Sequence, residues 1–356
     1  MNDITNPFLR IGMVLITLAL CGGCAFKEHE KPELVREFQI ASTLHNSLFL
    51  NGIVINGTGG NGTGGNGTGG NGTGGNGTGG NGTGGNGTGG NGEAANLVGL
   101  TFDLTTVSGV TLSGATIKGA WVEKGALKAI RGDGVVLSGS ALLGAQVTGQ
   151  LDNGSTVTLQ LDGIETFTSA AGSTLSRYVI SFTRPTSTVR AFVCGKNELG
   201  APINTIPISG RWNFQEGVPG GGSKEENPSL ITFACQGFAL YKCIDYGYPP
   251  WSKVNGVELS NHHQACVRMI RADYCGDGRP WTVDGTLINL YDNLGIQADT
   301  ESWPVEAEWD ADGARCLSHQ RIQNMSTVPT CAFERSPLEC GQPPQWGSTL
   351  LVSEAL

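Results

Sequence analysis

A five-residue register runs through residues 46–147 and constrains the fold of this chain more than any other feature. Asparagine occupies every fifth position from Asn46 to Asn96. Directly after Asn96, an apolar series begins at Leu97 with the same five-residue spacing. It continues to Val147, and only Gly132 interrupts it. The apolar positions are Leu97, Phe102, Val107, Leu112, Ile117, Val122, Leu127, Leu137, Leu142 and Val147. A short fixed period is typical of a repeat architecture, in which each unit buries its face only against its neighbours.

The pentads in residues 93–147 resemble the pentapeptide-repeat family. Residues 95–99 (Ala-Asn-Leu-Val-Gly) and 115–119 (Ala-Thr-Ile-Lys-Gly) are similar to its A-(D/N)-L-x-x unit. The resemblance implies a short right-handed β-helix in which the central apolar residue of each pentad points inward. Because so few pentads lie near the minimum for a self-supporting stack, a partly ordered repeat arm is the alternative.

The charge of the chain argues against a nucleic-acid partner and against a repeat segment that imitates DNA. Within residues 95–149 the charged side chains are Lys118, Lys124, Lys128 and Arg131 against Asp103, Glu123 and Asp133. Their net charge of +1 has the wrong sign for a pentapeptide β-helix that imitates a phosphate backbone. The whole chain has a net charge of −9 and no basic stripe, so no nucleic acid partner is expected.

The first residues are typical of an export signal. Arg10 precedes an uncharged run over residues 11–20, which suits a signal sequence better than a membrane-spanning helix. Residues 21–25 (Cys-Gly-Gly-Cys-Ala) resemble the end of a bacterial lipobox. The resemblance implies lipidation of Cys24 and, with Ala25 after it, an outer-membrane lipoprotein held to the membrane by its lipid; a secreted protein is the alternative.

Composition divides the chain into segments. The unit Asn-Gly-Thr-Gly-Gly fills residues 56–90 in seven copies without an apolar side chain, so a solvated spacer is predicted there. The predicted organisation is a signal peptide over residues 1–23, a stem over 24–55, the spacer over 56–92, the pentad segment over 93–147, a disulfide-rich domain over 148–345 and a tail over 346–356.

Cysteine usage predicts disulfide bonds. An even number of cysteines follows the N-terminal pair, all in the C-terminal half of an exported chain. They are Cys194, Cys235, Cys243, Cys266, Cys275, Cys316, Cys331 and Cys340.

Hydrophobic periodicity predicts an α+β fold, in which a β-rich domain contains a disulfide-clamped pair of helices. Strand-like alternation dominates residues 147–214, whereas helical spacing appears over residues 232–246 and 259–274. The short connection between the two helices makes them antiparallel neighbours.

Facing residues of an antiparallel helix pair have a nearly constant sum of sequence positions. This rule predicts bridges Cys235–Cys275 and Cys243–Cys266. The pairing of the other four cysteines stays open.

Residues 272–275 (Ala-Asp-Tyr-Cys) match the tetrapeptide that names the ADYC domain, a family of exported bacterial proteins. The supporting matches are residues 217–222 (Gly-Val-Pro-Gly-Gly-Gly), 233–235 (Phe-Ala-Cys), 263–266 (His-Gln-Ala-Cys) and 289–292 (Asn-Leu-Tyr-Asp). The resemblance spans about residues 142–316. It implies export, but no activity, cofactor or catalytic residue.

Several polar side chains near this motif invite a chemical interpretation. A metal site could use His262, His263, Cys266, Asp273 and Cys275. Zinc usually needs paired cysteine spacings such as C-x₂-C and reduced thiols, so neither a metal nor another cofactor is predicted. Residues 310–313 look like the start of a calcium loop, but Arg321 occupies the twelfth position, where a glutamate is expected.

Two functions remain open on the sequence. The preferred one is an exported cell-envelope lipoprotein with a binding or structural role, whose partner is an envelope or extracellular protein or a glycan. No catalytic residue is assigned in that case. The alternative is an exported hydrolase with a site near the two helices, for which His262, His263 and His319 are candidates although no Gly-x-Ser-x-Gly elbow is present.

Overall fold

A computed structural model gives the fold of the C-terminal two thirds of the chain. It describes residues 101–356 apart from 104–107, 112, 151–155, 184–189, 198, 214, 284, 323–330, 332–337 and 342. The predicted signal peptide, stem and spacer, and the lipidation site Cys24, lie outside the described residues. No helix within the described ranges has the length and apolar character needed to cross a membrane.

The described residues form nineteen strands, two α-helices and one 3₁₀-helix. The strands are β1 Thr101–Asp103, β2 Ser108–Val110, β3 Thr116–Glu123, β4 Ala126–Arg131, β5 Val136–Ser138, β6 Gln146–Gln150, β7 Thr156–Thr168, β8 Thr174–Thr183, β9 Ala191–Phe192, β10 Thr205–Ser209, β11 Arg211–Trp212, β12 Lys224–Glu225, β13 Leu230–Cys235, β14 Lys253–Val254, β15 Val257–Glu258, β16 Asn289–Asp292, β17 Val305–Asp310, β18 Gly313–Leu317 and β19 Leu351–Glu354. The helices are α1 Ala239–Asp245 and α2 Ser260–Arg271, and the 3₁₀-helix is Gly139–Leu142.

Eleven strands form one antiparallel sheet. Its order is β1-β13-β10-β8-β7-β6-β2-β3-β4-β5, with β9 paired to β8. The sheet is strongly curved, because β3 and β4, near one end of the order, contact β10 near the other end. It therefore makes two layers, with strands β2–β5 lying over strands β6, β7, β8, β10 and β13.

The β3–β4 hairpin closes one side of this two-layer structure. Lys124 and Gly125 both have positive φ angles, 50° and 73°, as a two-residue hairpin turn of this kind requires. The backbone N–H of Leu127 donates a hydrogen bond of 3.0 Å to the Tyr178 hydroxyl on β8. At the tip, a Cβ on Gly125 would come within 2.5 Å of the Trp251 ring, so glycine allows close packing there.

Where the structure describes the pentad segment, the strands do not form a β-helix. Strands β2 to β6 pair antiparallel, whereas the coils of a β-helix stack in parallel. The five-residue spacing instead places Val122 and Leu127 opposite each other across the hairpin turn. A bulge between Ile117 and Gly119 shifts the pairing of β3 with β4 by one residue. The pentads before residue 101 lie outside the described residues.

The boundaries of the predicted domain and tail do not coincide with breaks in the structure. A boundary between residues 147 and 148 falls inside β6, which pairs with both β2 and β7. Residues 351–354, expected in a tail, form β19, which is fully or almost fully buried between β16 and β17. Their apolar residues Leu351 and Val352 explain this central position.

The smaller sheet and the two helices complete the α+β fold. The smaller sheet has the order β16-β19-β17-β18. Helix α2 packs on β17, β18 and β19, and α1 packs on α2 and on β13. The helices therefore lie between the two sheets, in a core that includes Ile206 from the larger sheet and Trp309 from the smaller one.

The first predicted helix begins too early. Residues 232–235 belong to β13, which pairs with β1 and β10, and α1 starts only at Ala239. Apolar residues at helical spacing in so short a run are also compatible with a buried strand. Gly237, with a φ of 90°, separates the strand from the helix.

Candidate functional site

The Ala-Asp-Tyr-Cys motif lies at the C-terminal end of α2. Ala272 adopts a left-handed conformation, with φ 52° and ψ 40°, and ends the helix. Its backbone N–H donates to the Met269 carbonyl. The three residues that follow contact three different parts of the molecule.

Asp273 forms a buried ion pair with Arg268, one turn earlier on α2. Their side chains are 0% and 2% exposed. The carboxylate also accepts hydrogen bonds from the backbone N–H groups of Asp277 (3.0 Å) and Gly278 (2.9 Å). Burial raises the pKa of Asp273, an effect that the positive charges of Arg268 and Arg271 oppose. These contacts fix the loop after α2.

The glycine-rich loop over residues 217–222 surrounds the same guanidinium. Arg268 donates to the Gly221 carbonyl and, over 2.7 Å, to the Ser223 hydroxyl. A Cβ on Gly222 would lie 2.7 Å from the Arg268 guanidinium. Gln264 donates to the Gly222 carbonyl over 2.8 Å. The glycines therefore let the loop backbone approach α2 closely.

Tyr274 joins α2 to the smaller sheet through a buried polar network. Its hydroxyl donates to Glu306 over 2.5 Å, and Arg321 pairs with the same carboxylate at 2.6 Å. Both charged side chains are completely buried. Ser353 on β19 donates to Glu306 over 2.7 Å and accepts from the Trp309 indole over 2.8 Å. Burial and the Glu306 charge raise the pKa of Tyr274 well above its usual value, so its hydroxyl remains protonated.

The eight described cysteines form four disulfide bonds. The bonds are Cys194–Cys235, Cys243–Cys266, Cys275–Cys331 and Cys316–Cys340. The bridge Cys243–Cys266 is the one that the antiparallel arrangement of α1 and α2 predicts.

The predicted bridge Cys235–Cys275 is wrong. The rule for facing helices does not apply to Cys235, because this residue ends strand β13. Cys275 of the motif is bonded instead to Cys331, so it takes part in a structural bridge with a different partner from the one predicted.

The two neighbouring histidines of α2 are buried in the core. His263 contacts the Leu240 carbonyl at 3.1 Å and packs edge-on against Trp212. Burial lowers the pKa of His263 to about 3. His262 stacks on Tyr248, whose hydroxyl donates to Asp292 over 2.5 Å. These are packing contacts, and none of them favours the hydrolase hypothesis.

The residues considered for a metal site are not gathered around one point. Cys266 and Cys275 are in separate disulfides, and Asp273 is paired with Arg268. Among the described residues, one group with metal-ligand geometry comprises Glu308, Cys316 and Cys340. Its two sulfurs are bonded to each other, and Glu308 accepts a hydrogen bond from Thr349.

The sequence gives little indication of the partners of the motif, which are Arg268, Glu306, Arg321 and Ser353. The five-residue separation of Arg268 and Asp273 around the end of a helix is a weak local signal. Glu306 lies on β17 and Arg321 follows β18, and no local pattern indicates that they meet.

A cavity of about 60 Å³, the interlayer cavity, lies between the two layers of the larger sheet. Its lining residues are Ala120, Leu127, Lys128, Ala129, Leu142, Ala145, Val147, Leu159, Leu161, Ile180, Ile231 and Phe233. Apart from Lys128 they are all apolar, and they come from both layers.

Comparison with known proteins identifies one domain. A sequence profile of the ADYC domain matches residues 139–323. No curated protein and no solved structure matches the chain. The matched range contains the motif on α2, the glycine-rich loop and most of the larger sheet, and it covers more than half of the sequence. The chain belongs to the ADYC domain family.

Proposed function

We propose that this protein is an exported cell-envelope lipoprotein with a binding role, and that the interlayer cavity is its binding site. The observation that carries the binding role is the apolar cavity itself, with a volume of about 60 Å³. Protein interiors are normally packed to the density of organic crystals. An apolar space of this kind can take up an apolar ligand.

The motif region supports this choice by its chemistry. Asp273, Tyr274 and Cys275 are each occupied by a buried partner within the chain. A ligand that used them would have to break an ion pair, a charged hydrogen bond or a disulfide. The larger sheet therefore offers the easier place for a ligand.

Xenon NMR on the full chain tests the binding role. Xenon is expected to enter the cavity and to shift the methyl resonances of Leu159 and Ile180. Ala129→Leu fills the cavity from β4 and should abolish these shifts, while Ala126→Leu on the same strand, outside the cavity lining, should leave them unchanged. Ala120→Leu, at a half-buried lining position, provides a milder filling variant if Ala129→Leu does not fold. Absence of xenon shifts in the unmodified protein would reject the binding role.

The membrane anchor has a separate test. Cys24→Ser removes the predicted lipid attachment and should move the protein from the membrane fraction to the soluble fraction. The matched control Cys21→Ser leaves the acceptor intact and should stay with the membrane. Unchanged fractionation of Cys24→Ser would contradict the anchor.

A further inference from the structure

We propose that the ligand of the interlayer cavity is a single linear alkyl chain, which enters when the β3–β4 hairpin moves away from the layer below. This inference rests on the proposed binding role of the same cavity. It adds the chemical class of the ligand and the element that admits it.

The lining chemistry requires an apolar ligand. Leu159, Leu161, Ile180 and Ile231 are almost completely buried and offer only aliphatic surface. A polar group placed among them would lose its hydrogen bonds to water without gaining new ones. Only an apolar portion of a ligand can therefore occupy the cavity.

The ammonium group of Lys128 is not part of this surface. Lys128 lies directly opposite Trp121 in the β3–β4 ladder, whereas the cavity-lining Ala129 lies opposite Ala120. Successive side chains of a strand point to opposite faces, so the side chain of Lys128 points away from the cavity and only its backbone borders it. Its ammonium lies 3.8 Å from the Glu123 carboxylate. The polar head of an amphiphilic ligand would thus have to remain outside.

The size of the cavity favours a linear chain over a ring. Its volume of about 60 Å³ is well below the ~150 Å³ of an engineered apolar cavity that binds benzene. A six-membered ring would have to push the lining apart, which is costly in a packed core. A linear chain has a smaller cross-section, so it can insert its terminal carbons into the cavity and leave the rest of the chain outside.

The β3–β4 hairpin is the element best placed to admit such a chain. It contributes Ala120 and Leu127 to the lining, and both are only half-buried. In the layer below, Leu159 and Ile180 are buried and Val147 is half-buried. Its hydrogen bond from Leu127 to the Tyr178 hydroxyl and the packing of its Gly125 tip on Trp251 hold it down. Loss of these two contacts would loosen the end of the hairpin, while its contacts with β10 and its pairing with β2 and β5 remain.

The decisive experiment compares two alcohols of equal carbon number on the unmodified full chain. Binding of n-hexanol and of cyclohexanol is measured by titration of the methyl resonances of Leu159 and Ile180. The linear alcohol should bind at least about tenfold more tightly, because it can insert its terminal carbons alone, whereas the ring has to enter whole and displace the lining. Equal affinities, or tighter binding of cyclohexanol, would overturn the assignment of a linear chain.

Xenon in the same samples separates this inference from the proposed function. If xenon binds and n-hexanol does not, the binding role stands and the alkyl ligand is rejected. If neither binds, both are rejected.

The role of the hairpin is tested with Tyr178→Phe, which removes the acceptor of the Leu127 N–H. Exchange of n-hexanol, measured by NMR line shape, should become several-fold faster. Tyr248→Phe removes a hydroxyl that contacts Asp292 instead and should leave the exchange rate unchanged. An unchanged rate in Tyr178→Phe would overturn the proposed entry route.

Discussion

The region around α2 and the interior of the larger sheet are stabilised in different ways. Around α2, charged and polar side chains such as Arg268, Asp273 and Glu306 are buried with specific partners. Between the layers of the larger sheet the contacts are almost entirely apolar and leave a cavity. A buried charge needs a particular partner in a particular place, whereas apolar contacts have no direction.

This difference explains why the recognisable motif is not the proposed binding site. Each residue of a buried polar network is restricted to the few side chains that satisfy its partners. Such a network can therefore produce a sequence signature through its structural contacts alone. An aliphatic lining gives no comparable signature, because several combinations of Leu, Ile, Val and Ala fill similar space. A ligand site can lie where the sequence shows no motif.

The largest expected effect comes from breaking the buried pair of Glu306 and Arg321. Glu306→Ala leaves the Arg321 guanidinium charged and without its carboxylate, and should lower the free energy of unfolding by about 3–5 kcal/mol. The double variant Glu306→Leu/Arg321→Met removes both charges and should recover much of this loss. Urea denaturation measures both. A loss below about 1 kcal/mol for Glu306→Ala would show that the network matters little to stability.

Removal of the motif disulfide should have the next largest effect. Cys275→Ser/Cys331→Ser should cost about 2–5 kcal/mol of unfolding free energy. The bond spans 56 residues, whereas Cys316–Cys340 spans 24, so the entropic model predicts about 0.8 kcal/mol less for Cys316→Ser/Cys340→Ser. Thermal or chemical unfolding of the two double variants under identical conditions gives the comparison. A larger cost for the shorter loop would contradict the entropic account of these bridges.

Acid should destabilise the core around α2 through His263. Burial lowers its folded-state pKa to about 3, below the unfolded value near 6.5. As the pH falls, the unfolded state therefore binds the proton first, and the free energy of unfolding decreases between about pH 6.5 and pH 3. At pH 5 the free energy of unfolding should be about 2 kcal/mol lower than at neutral pH.

The matched variant for this prediction is His263→Gln. Burial raises the folded-state pKa of Glu216 and Asp245, which acts in the opposite direction, but these groups are present in both proteins. The difference in pH dependence between the two proteins therefore isolates His263. If the free energy of unfolding had the same pH dependence in His263→Gln and in the unmodified protein, His263 would not be buried as a neutral ring.

The smallest expected effect belongs to the interlayer cavity. Ile180→Val should cost about 0.5–1.5 kcal/mol of unfolding free energy, and by enlarging the cavity it should increase xenon affinity. Ile206→Val, in the core under the helices, should cost a similar amount without changing xenon binding. Equal changes in xenon affinity for both variants would show that the cavity is not the xenon site.

Local patterns predicted those parts of the fold that depend on local geometry. The bridge Cys243–Cys266 followed from two antiparallel helices and their spacing. The helical spacing over residues 259–274 likewise predicts α2, which runs from Ser260 to Arg271. By contrast, the apolar spacing over residues 232–235 fits both a helix and a strand, and only the pairing with β1 and β10 makes this run a strand.

The candidate site depends on contacts between distant parts of the chain. Glu306 and Arg321 were not recognised as partners because the position of each is fixed by Tyr274, which belongs to another element. The cavity likewise needs Ala120 from one layer and Ile231 from the other. A five-residue register predicts that apolar residues recur, but whether they stack in coils or pair in a hairpin depends on the bulge and turn of β3 and β4.

The motif stabilises the fold through its buried partners, and we propose that the larger sheet binds the ligand. Tyr274→Phe tests this division most directly, because it removes the hydrogen bond to Glu306 and keeps the ring. The free energy of unfolding should fall by about 1.5–3 kcal/mol, while the affinity for n-hexanol, measured on the folded protein, should not change. Loss of n-hexanol binding with unchanged stability would contradict the account.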